Sequence, residues 1–335
     1  MAALTPSCGC DGCRFYNLCG GCHPECNHAC CARPCPSCAV RCRRRDDAES
    51  WVRDAGGTLD LSLPPGFTWP PVPDDLPPVV PEVDGYRMGE YDAAAGWPAY
   101  AVGASRVFSA RGTGLRPRWR GRRAAEVLGL PPGKKVVLHV FGPDELIERL
   151  WTEQFRSRVW EQVAGAGFAL ILGPNYSVYG EHPRFEHLLN MRRSLLAAAR
   201  LASLGVPAAP NVYWWTEGDL ERWCGCIEEL GIPAVAVNAQ TYQSEGDWAF
   251  LLSGLERMGR KLGERVLFFV NGVTRPARVA AVRRALPRVV FVSRAVQARA
   301  QHGRGLLVDD AVGDHSPELF RRNLEEFLNC LQNAS

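Results

Sequence analysis

The feature that most constrains the fold is a regular alternation of short apolar runs with amphipathic helical stretches between residues 98 and 335. Each run is nearly continuous in apolar residues, which is typical of a strand buried on both faces of a parallel sheet. The stretches between them have helical spacing and often end at Gly or Pro. The candidate strands are AYAVG (99–103), VVLHV (136–140), FALILG (168–173), AAPNVYW (208–214), AVAVNA (234–239), VLFFVNG (266–272), VVFVS (289–293) and LLVDD (306–310).

Eight strands that alternate with helices predict an α/β domain of the (β/α)8 TIM-barrel type over residues 98–335. A doubly wound open sheet is the alternative. Residues 46–97 contain the stretch LPPGFTWPPVPDDLPPVVPEVDG, whose prolines remove backbone donors and favour extended geometry. This segment is predicted to be a linker or strap, with no helix or central strand in the proline-rich part.

Residues 1–45 form a third zone, which holds eleven of the fourteen cysteines. A disulfide framework would spread its cysteines over the elements that it joins, whereas these are crowded and odd in number. Pairs spaced C-x2-C can place two thiolates on one ion, which predicts a small metal-binding module. The proposed ligands are Cys8, Cys10, Cys13, Cys19, Cys22, Cys26, Cys30, Cys31, Cys35, Cys38 and Cys42.

Zinc is the preferred metal, and iron–sulfur clusters are the alternative because the cysteines follow one another at short gaps. The spacing Cys31-x3-Cys35-x2-Cys38 also occurs in radical S-adenosylmethionine enzymes. Here, however, the aromatic residue usual before the third cysteine is replaced by Ser37.

The chain has no run of about 18 apolar residues that could span a membrane. It also has no basic segment followed by an apolar segment at its start, as a signal peptide has. These features predict a cytoplasmic protein with no membrane contact.

The residues that follow the predicted strands are rich in amides and aromatics. In a parallel barrel these positions meet at one face, where active sites lie. Amides read hydrogen-bonding edges and aromatic rings stack, so the set predicts a site for a planar heterocycle such as a nucleobase. His139 lies within a strand and is interpreted as a core residue. The candidate catalytic residues are Asp144, Asn175, Asn238 and Asp309, and the candidate ligand contacts are Tyr176, Ser177, Tyr179, Asn211, Trp214, Gln240 and Asn271.

Three motifs follow one another in this region: PNYSVY (174–179), Asn190-x-x-Arg193 and PNVYW (210–214). Their order resembles an uncharacterised domain family of bacterial, archaeal and phage genomes, over roughly residues 136–275. The resemblance implies an α/β domain associated with mobile elements and no particular activity. The family usually has Asp where this chain has Asn175, so proton transfer at that position is in doubt. One turn apart on a helix, Asn190 and Arg193 could clamp the loop and bind an anion.

A basic loop, residues 106–123, holds seven arginines and Trp119 with no acidic residue. Such a pattern suits phosphate contacts, so nucleic acid is a candidate partner. The proposed contacts are Arg111, Arg116, Arg118, Arg120, Arg122 and Arg123.

Dinucleotide, Walker, HExxH and GxSxG motifs are all absent from the sequence. The sequence therefore predicts a metal-binding protein of a mobile element or phage that acts on nucleic acid or a nucleotide at the barrel mouth. One alternative is a non-catalytic DNA- or RNA-binding protein with the barrel as a scaffold. Another is an iron–sulfur redox or radical enzyme with a small-molecule substrate.

Overall fold

The computed structural model describes residues 13–19, 41, 47–180, 182–307 and 317–332. Within these residues the chain forms eight parallel strands, and most of them are followed by helices. The strands are β1 (Val79–Val83), β2 (Ala99–Gly103), β3 (Lys135–His139), β4 (Leu170–Leu172), β5 (Ala208–Ala209), β6 (Ala234–Asn238), β7 (Leu267–Asn271) and β8 (Val289–Ser293).

The described helices form an outer layer around these strands. They are α1 (Tyr16–Cys19), α2 (Ala48–Asp54), α3 (Met88–Ala95), α4 (Ala104–Val107), α5 (Ala124–Val127), α6 (Asp144–Ser157), α7 (Val159–Gly165), α8 (Arg184–Ser203), α9 (Glu217–Glu229), α10 (Glu245–Leu262), α11 (Pro276–Ala285), α12 (Ala295–Gln301) and α13 (Pro317–Gln332), with short 3-10 turns at Pro117–Trp119 and Gly263–Arg265. Among the described residues, no helix is long and apolar enough to cross a lipid bilayer.

The strand order is β5-β4-β3-β2-β1-β8-β7-β6, which is the cyclic order of a barrel. In a doubly wound sheet the order of the strands across the sheet reverses at the first strand. No such reversal occurs here, so that alternative is excluded. Just beyond β5, Asn211 bridges to Ala236 of β6, and the Val212 N–H donates to the Ala236 carbonyl at 2.8 Å. The sheet is therefore a nearly closed (β/α)8 barrel.

Seven of the strands were predicted from their apolar runs, but β1 was not. It lies in the segment predicted to be a proline-rich strap, because Pro81 argues against a central strand. The structure accommodates this proline at a change of partner. Val79 to Pro81 are in register with β8, whereas Glu82 and Val83 are in register with β2. The expected strand at 306–310 does not form at residues 306 and 307, and residues 308–310 lie outside the described part of the chain.

The proline-rich segment before β1 closes the amino-terminal end of the barrel. Val72 and Leu76 pack against the apolar cluster of the barrel interior, and Asp75 forms an ion pair with Lys135 at the start of β3. Before the proline-rich segment, the backbone carbonyl of Ala55 accepts a hydrogen bond from Arg192 of α8 at 3.1 Å. Ligand access is therefore expected at the opposite end of the barrel.

Close packing between α10 and α11 depends on Gly259. A Cβ atom built at this position would lie 1.9 Å from the Ala285 carbonyl oxygen, which is backbone and cannot rotate away. We predict that Gly259→Ala lowers the free energy of unfolding by about 1–3 kcal/mol, measured by urea denaturation.

The matched control is Gly225→Ala in α9. A Cβ atom there meets nothing within 4 Å, so the helix should become more stable by about 0.5–1 kcal/mol. Equal effects of the two substitutions would contradict the packing of α10 on α11.

Candidate functional site

The barrel interior changes from apolar to polar at the carboxyl ends of its strands. Every second residue of a strand faces inward. Val80, Val137, Ala236 and Phe269 belong to the buried interior cluster. Two residues further along each of these strands are Glu82, His139, Asn238 and Asn271. These four side chains form the floor of the barrel mouth.

Glu82 and His139 form a hydrogen-bonded pair across the mouth. The distance from His139 Nδ1 to Glu82 Oε2 is 2.7 Å, and His139 is almost fully buried. Room for the carboxylate comes from Gly103 at the end of β2, where a Cβ atom would lie 2.8 Å from Glu82 Oε1.

The charge state of Glu82 determines the tautomer of His139. Burial acts to raise the pKa of Glu82, but the hydrogen bond with His139 and the charges of His139 and Arg294 outweigh it, so the pKa is lowered. An ionised carboxylate can only accept hydrogen bonds, so His139 Nδ1 donates. In the neutral imidazole, Nε2 is therefore left as the proton acceptor.

A cavity of about 660 Å³ opens above this pair. Its lining comes from the ends of β1, β2, β3, β7 and β8 and includes Glu82, His139, Asn271, Arg106 and Arg294. Both arginines are exposed at the rim. Arg106 lies 3.9 Å from Asp84, whereas no carboxylate of the described residues pairs with Arg294. We call this the first cavity.

A second cavity, of about 340 Å³, adjoins the first, because residues 141–143 line both. Its polar and aromatic lining comes from the loops after β3, β4, β5 and β6. These residues are Asp144, Asn175, Ser177, Tyr179, Tyr213, Asn238, Thr241 and Tyr242. Asp144 accepts hydrogen bonds from the hydroxyls of Ser177 (3.0 Å) and Tyr179 (2.7 Å).

Asn238 is the centre of a hydrogen-bond network between the two cavities. Its Oδ1 accepts from the backbone N–H of Gln240 at 2.9 Å and from Nδ2 of Asn271 at 3.0 Å. Its Nδ2 donates to the hydroxyl of Tyr213 at 3.0 Å. Gly272 has φ +83°, and a Cβ there would lie 2.6 Å from the Gln240 backbone, so only glycine permits this approach.

Asn190 and Arg193 of α8 support the loop at residues 173–180 from below. Asn190 Nδ2 donates to the Ser177 carbonyl at 2.7 Å, and Arg193 donates to Asn190 Oδ1 at 2.9 Å. The Arg193 guanidinium is buried, lies 4.1 Å from the ring centre of Tyr176 and binds both carboxylate oxygens of Glu148, at 3.0 and 2.6 Å. Arg193 therefore holds the loop and lies outside both cavities.

Arg41, which precedes the last cysteine of the N-terminal cluster, docks on the same network. Its guanidinium lies 2.6 Å from Glu148 and 3.5 Å from Glu186 of α8. Although burial acts to raise the pKa of Glu148, the charges and hydrogen bonds of Arg193 and Arg41 lower it. The end of the cysteine-rich segment thus attaches to the wall beneath the second cavity.

The predicted site residues fall into three groups. Asp144, Asn175, Ser177, Tyr179 and Asn238 line the second cavity, and Gln240 and Asn271 line the first. Four others lie elsewhere: Arg193 and Tyr176 are buried against each other, Trp214 packs on Gly254 and Phe250, and Asn211 lies at the bridge that closes the barrel. Asp309 lies outside the described residues.

Glu82 was missed because its strand was assigned to the strap, and His139 was assigned to the core. The sequence signal that could have found them is a charged residue near the end of one apolar strand, Glu82 in β1, and a histidine near the end of another, His139 in β3.

The arginines of the basic loop are exposed, but most of those proposed as contacts bind the loop itself or the helix α5 that follows it. Three donate to backbone carbonyls: Arg116 to Phe108, Arg118 to Val127 and Arg120 to Leu115. Arg122 pairs with Glu126, and Arg123 packs against Gly167, while Arg111 makes no side-chain contact with the described residues. Trp119 is buried and stacks on Phe168, so it cannot stack on a base.

Of the proposed metal ligands, Cys13 and Cys19 are described, and the other nine lie outside the described residues. Between these two cysteines, Phe15 packs on Phe185 of α8 with ring centres 6.3 Å apart. No group of three or more His, Cys, Asp or Glu side chains within the described ranges could hold a metal ion.

His187 of α8 gives the support beneath the second cavity a pH dependence. Its Nε2 lies 2.6 Å from the Tyr179 carbonyl, and its buried Nδ1 has no hydrogen-bond partner among the described residues. Burial lowers the pKa of His187 from 6.5 to about 4. Between these values the unfolded chain binds more protons, so stability falls as the pH drops from 6.5 to 4, by up to about 3 kcal/mol.

We predict that His187→Gln, which keeps a donor for the Tyr179 carbonyl, removes most of this loss. The measurement is the free energy of unfolding by urea across that pH range. His302→Gln, at an exposed histidine, is the control. An unchanged pH dependence in His187→Gln would contradict a neutral, buried His187.

The solved structures that match this chain are only distantly similar to it. No curated protein matches the chain. A structure described as native KDPGal is 12% identical, covers 78% of this chain and all of its own, and has a TM-score of 0.43. The YdjI aldolase from Escherichia coli is 16% identical over 86% of this chain and 95% of its own, with a TM-score of 0.41.

Residues 131–278, from the residues just before β3 to the start of α11, match the model of a domain of unknown function, DUF4417. This match confirms that the segment carrying the three motifs resembles an uncharacterised domain family.

Proposed function

We propose that the barrel mouth is the active site of an enzyme that acts on a nucleotide, free or as a unit of a nucleic acid. The observation that carries this proposal is the 2.7 Å hydrogen bond between Glu82 and His139 at the floor of the first cavity. A histidine whose second nitrogen is held by a carboxylate is a general base with a fixed tautomer and orientation. It is placed in a cavity of the size that takes small ligands.

In this proposal His139 Nε2 removes a proton from the substrate or from an attacking water. Glu82 stabilises the imidazolium that forms, because the ionised carboxylate stays hydrogen-bonded to Nδ1. The proton is then returned to the leaving group by the same nitrogen.

The charges at the rim favour an anionic substrate. The guanidinium of Arg294 follows β8 directly and forms no direct ion pair with a described carboxylate, although its charge helps to lower the pKa of Glu82 in the same cavity. Arg106 faces the same cavity from the end of β2. Two arginines that converge on one cavity suit a phosphate group, which accepts several charge-assisted hydrogen bonds.

The second cavity suits the planar part of the same ligand. Tyr179, Tyr213 and Tyr242 supply aromatic faces, while Asn175 and Asn238 supply amides. Because the two cavities share residues 141–143, one molecule can occupy both. Because the first cavity suits a phosphate and the second suits a base, a nucleotide is the ligand that fits the barrel mouth best.

Calorimetric titration with nucleoside monophosphates tests this assignment, with inorganic phosphate and free nucleosides as partial ligands. We expect nucleotides to bind more tightly than either part. Arg294→Gln should weaken nucleotide binding by roughly 10- to 100-fold, as loss of a charged hydrogen bond does. Arg260→Gln, at an exposed arginine near the end of α10, should leave the affinity unchanged.

His139→Gln separates catalysis from binding. It should keep the nucleotide affinity within a few-fold and reduce turnover by about 10²- to 10⁴-fold. The proposal is wrong if no nucleotide binds, or if Arg294→Gln and Arg260→Gln bind equally well.

Nucleic-acid binding through the basic loop is the second candidate, since six arginines are exposed on one loop and only Arg122 pairs with a described carboxylate, that of Glu126. In that case the barrel would serve as a scaffold. Replacing Arg116, Arg118 and Arg120 together by Gln should then weaken oligonucleotide binding and leave nucleotide binding unchanged.

The cysteine-rich segment is proposed to be a metal-binding module of a cytoplasmic, mobile-element-associated protein. Elemental analysis of anaerobically purified protein should find zinc, or iron with a brown colour if the ligands hold iron–sulfur clusters. Replacing Cys10 and Cys13 by Ser should reduce the metal content, whereas Cys330→Ser in α13 should not. Metal-free protein with all cysteines reduced would overturn this proposal.

A further inference from the structure

Tyr213 is held in the second cavity by an amide whose orientation the backbone determines. The N–H of Gln240 can only donate, so the Asn238 atom that it meets at 2.9 Å is the carbonyl oxygen Oδ1. The Nδ2 of Asn238 is therefore the atom that lies 3.0 Å from the Tyr213 hydroxyl. At this contact the Tyr213 oxygen accepts a hydrogen bond.

Asn175 is oriented in the same way. Its Oδ1 accepts from the backbone N–H of Gly142 at 3.1 Å, which leaves its Nδ2 as the group that can meet Tyr213. Burial raises the pKa of Tyr213, while hydrogen bonding to Asn238 and Asn175 acts to lower it, as donors to a phenol oxygen do. The net effect is a raised pKa, so the hydroxyl keeps its proton.

The phenol oxygen of Tyr213 accepts a hydrogen bond from Asn238, and the group that it has left to share is its own proton. No described side chain or backbone group accepts that proton, and Tyr213 lines the cavity between Asn175 and Asn238. The buried amide of Asn238 thus directs the hydroxyl proton of Tyr213 towards whatever fills the cavity.

We propose that Tyr213 is a ligand contact that donates its hydroxyl proton to a carbonyl oxygen of the base bound in the second cavity. This inference rests on the proposed function for the identity of the ligand. It restricts the base to those with an exocyclic carbonyl oxygen, which are uracil, thymine, cytosine and guanine. Adenine has no such oxygen, and its acceptors are ring nitrogens.

The first test needs no ligand. Protein labelled with ¹³C at tyrosine Cζ, in an equal mixture of H2O and D2O, shows one averaged signal where the hydroxyl proton exchanges fast and two where it exchanges slowly. The Tyr213 signal, identified by its loss in Tyr213→Phe, should be single. In Asn238→Asp the carboxylate accepts the proton, and the signal should split. A split signal in the wild-type protein would overturn the proposal.

The second test compares the binding of uridine and adenosine monophosphates by calorimetry. Tyr213→Phe should weaken uridine monophosphate binding by roughly three- to tenfold and leave adenosine monophosphate unchanged. The control is Tyr176→Phe, whose hydroxyl is also buried but lies outside both cavities. If nucleotides bind and Tyr213→Phe has no effect, the role of Tyr213 is wrong and the proposed function stands. If no nucleotide binds, the proposed function fails, and the exchange measurement still decides where the hydroxyl proton points.

Discussion

The alternation of side chains along a closed parallel sheet is the constraint on which the whole site depends. Once eight strands close into a barrel, every second residue must face the interior, and the last such residue of each strand must face the mouth. In this chain the interior residues are apolar up to that last position and then become Glu82, His139, Asn238 and Asn271. The polar floor of the site is therefore a direct consequence of the register of the strands.

The same constraint explains why neighbouring side chains satisfy one another. Strands β6 and β7 are in register, with Asn238 opposite Asn271, and the two amides share a 3.0 Å hydrogen bond. Glu82 and His139 come from strands separated by β2, and Gly103 of β2 leaves the space between them. A larger residue at 103 would displace the carboxylate, so this glycine belongs to the site as much as the charged pair does.

Much of this fold could be predicted because buried parallel strands have a simple signature. Continuous apolar runs such as AVAVNA and VLFFVNG give both the strands and the polar residues at their ends. β1 could not be found in this way, because Pro81 is compatible with the sheet only where the strand changes partners, and that change is a tertiary feature. Because β1 was not predicted, Glu82 was not recognised as a site residue. Without this partner, nothing in the sequence distinguished His139 from an ordinary core residue.

The hydrogen-bond and ion-pair partners of the site residues could not be predicted from the sequence either. Asn190 and Arg193 were recognised as a pair on one helix face, but the half-buried Glu148 that neutralises Arg193 is 45 residues away in the chain. The contact of Arg41 with Glu148 likewise joins two residues that are far apart in the chain.

The central claim is that Glu82 fixes His139 with a free Nε2 in the barrel mouth. ¹⁵N NMR of histidine-labelled protein measures this directly, because protonated and unprotonated ring nitrogens have well-separated shifts. In the neutral ring we expect the proton on Nδ1, an unprotonated Nε2, and a change of the Nε2 shift when a nucleotide is added. A proton on Nε2 in the wild-type protein, or an Nε2 signal that no nucleotide perturbs, would contradict the account.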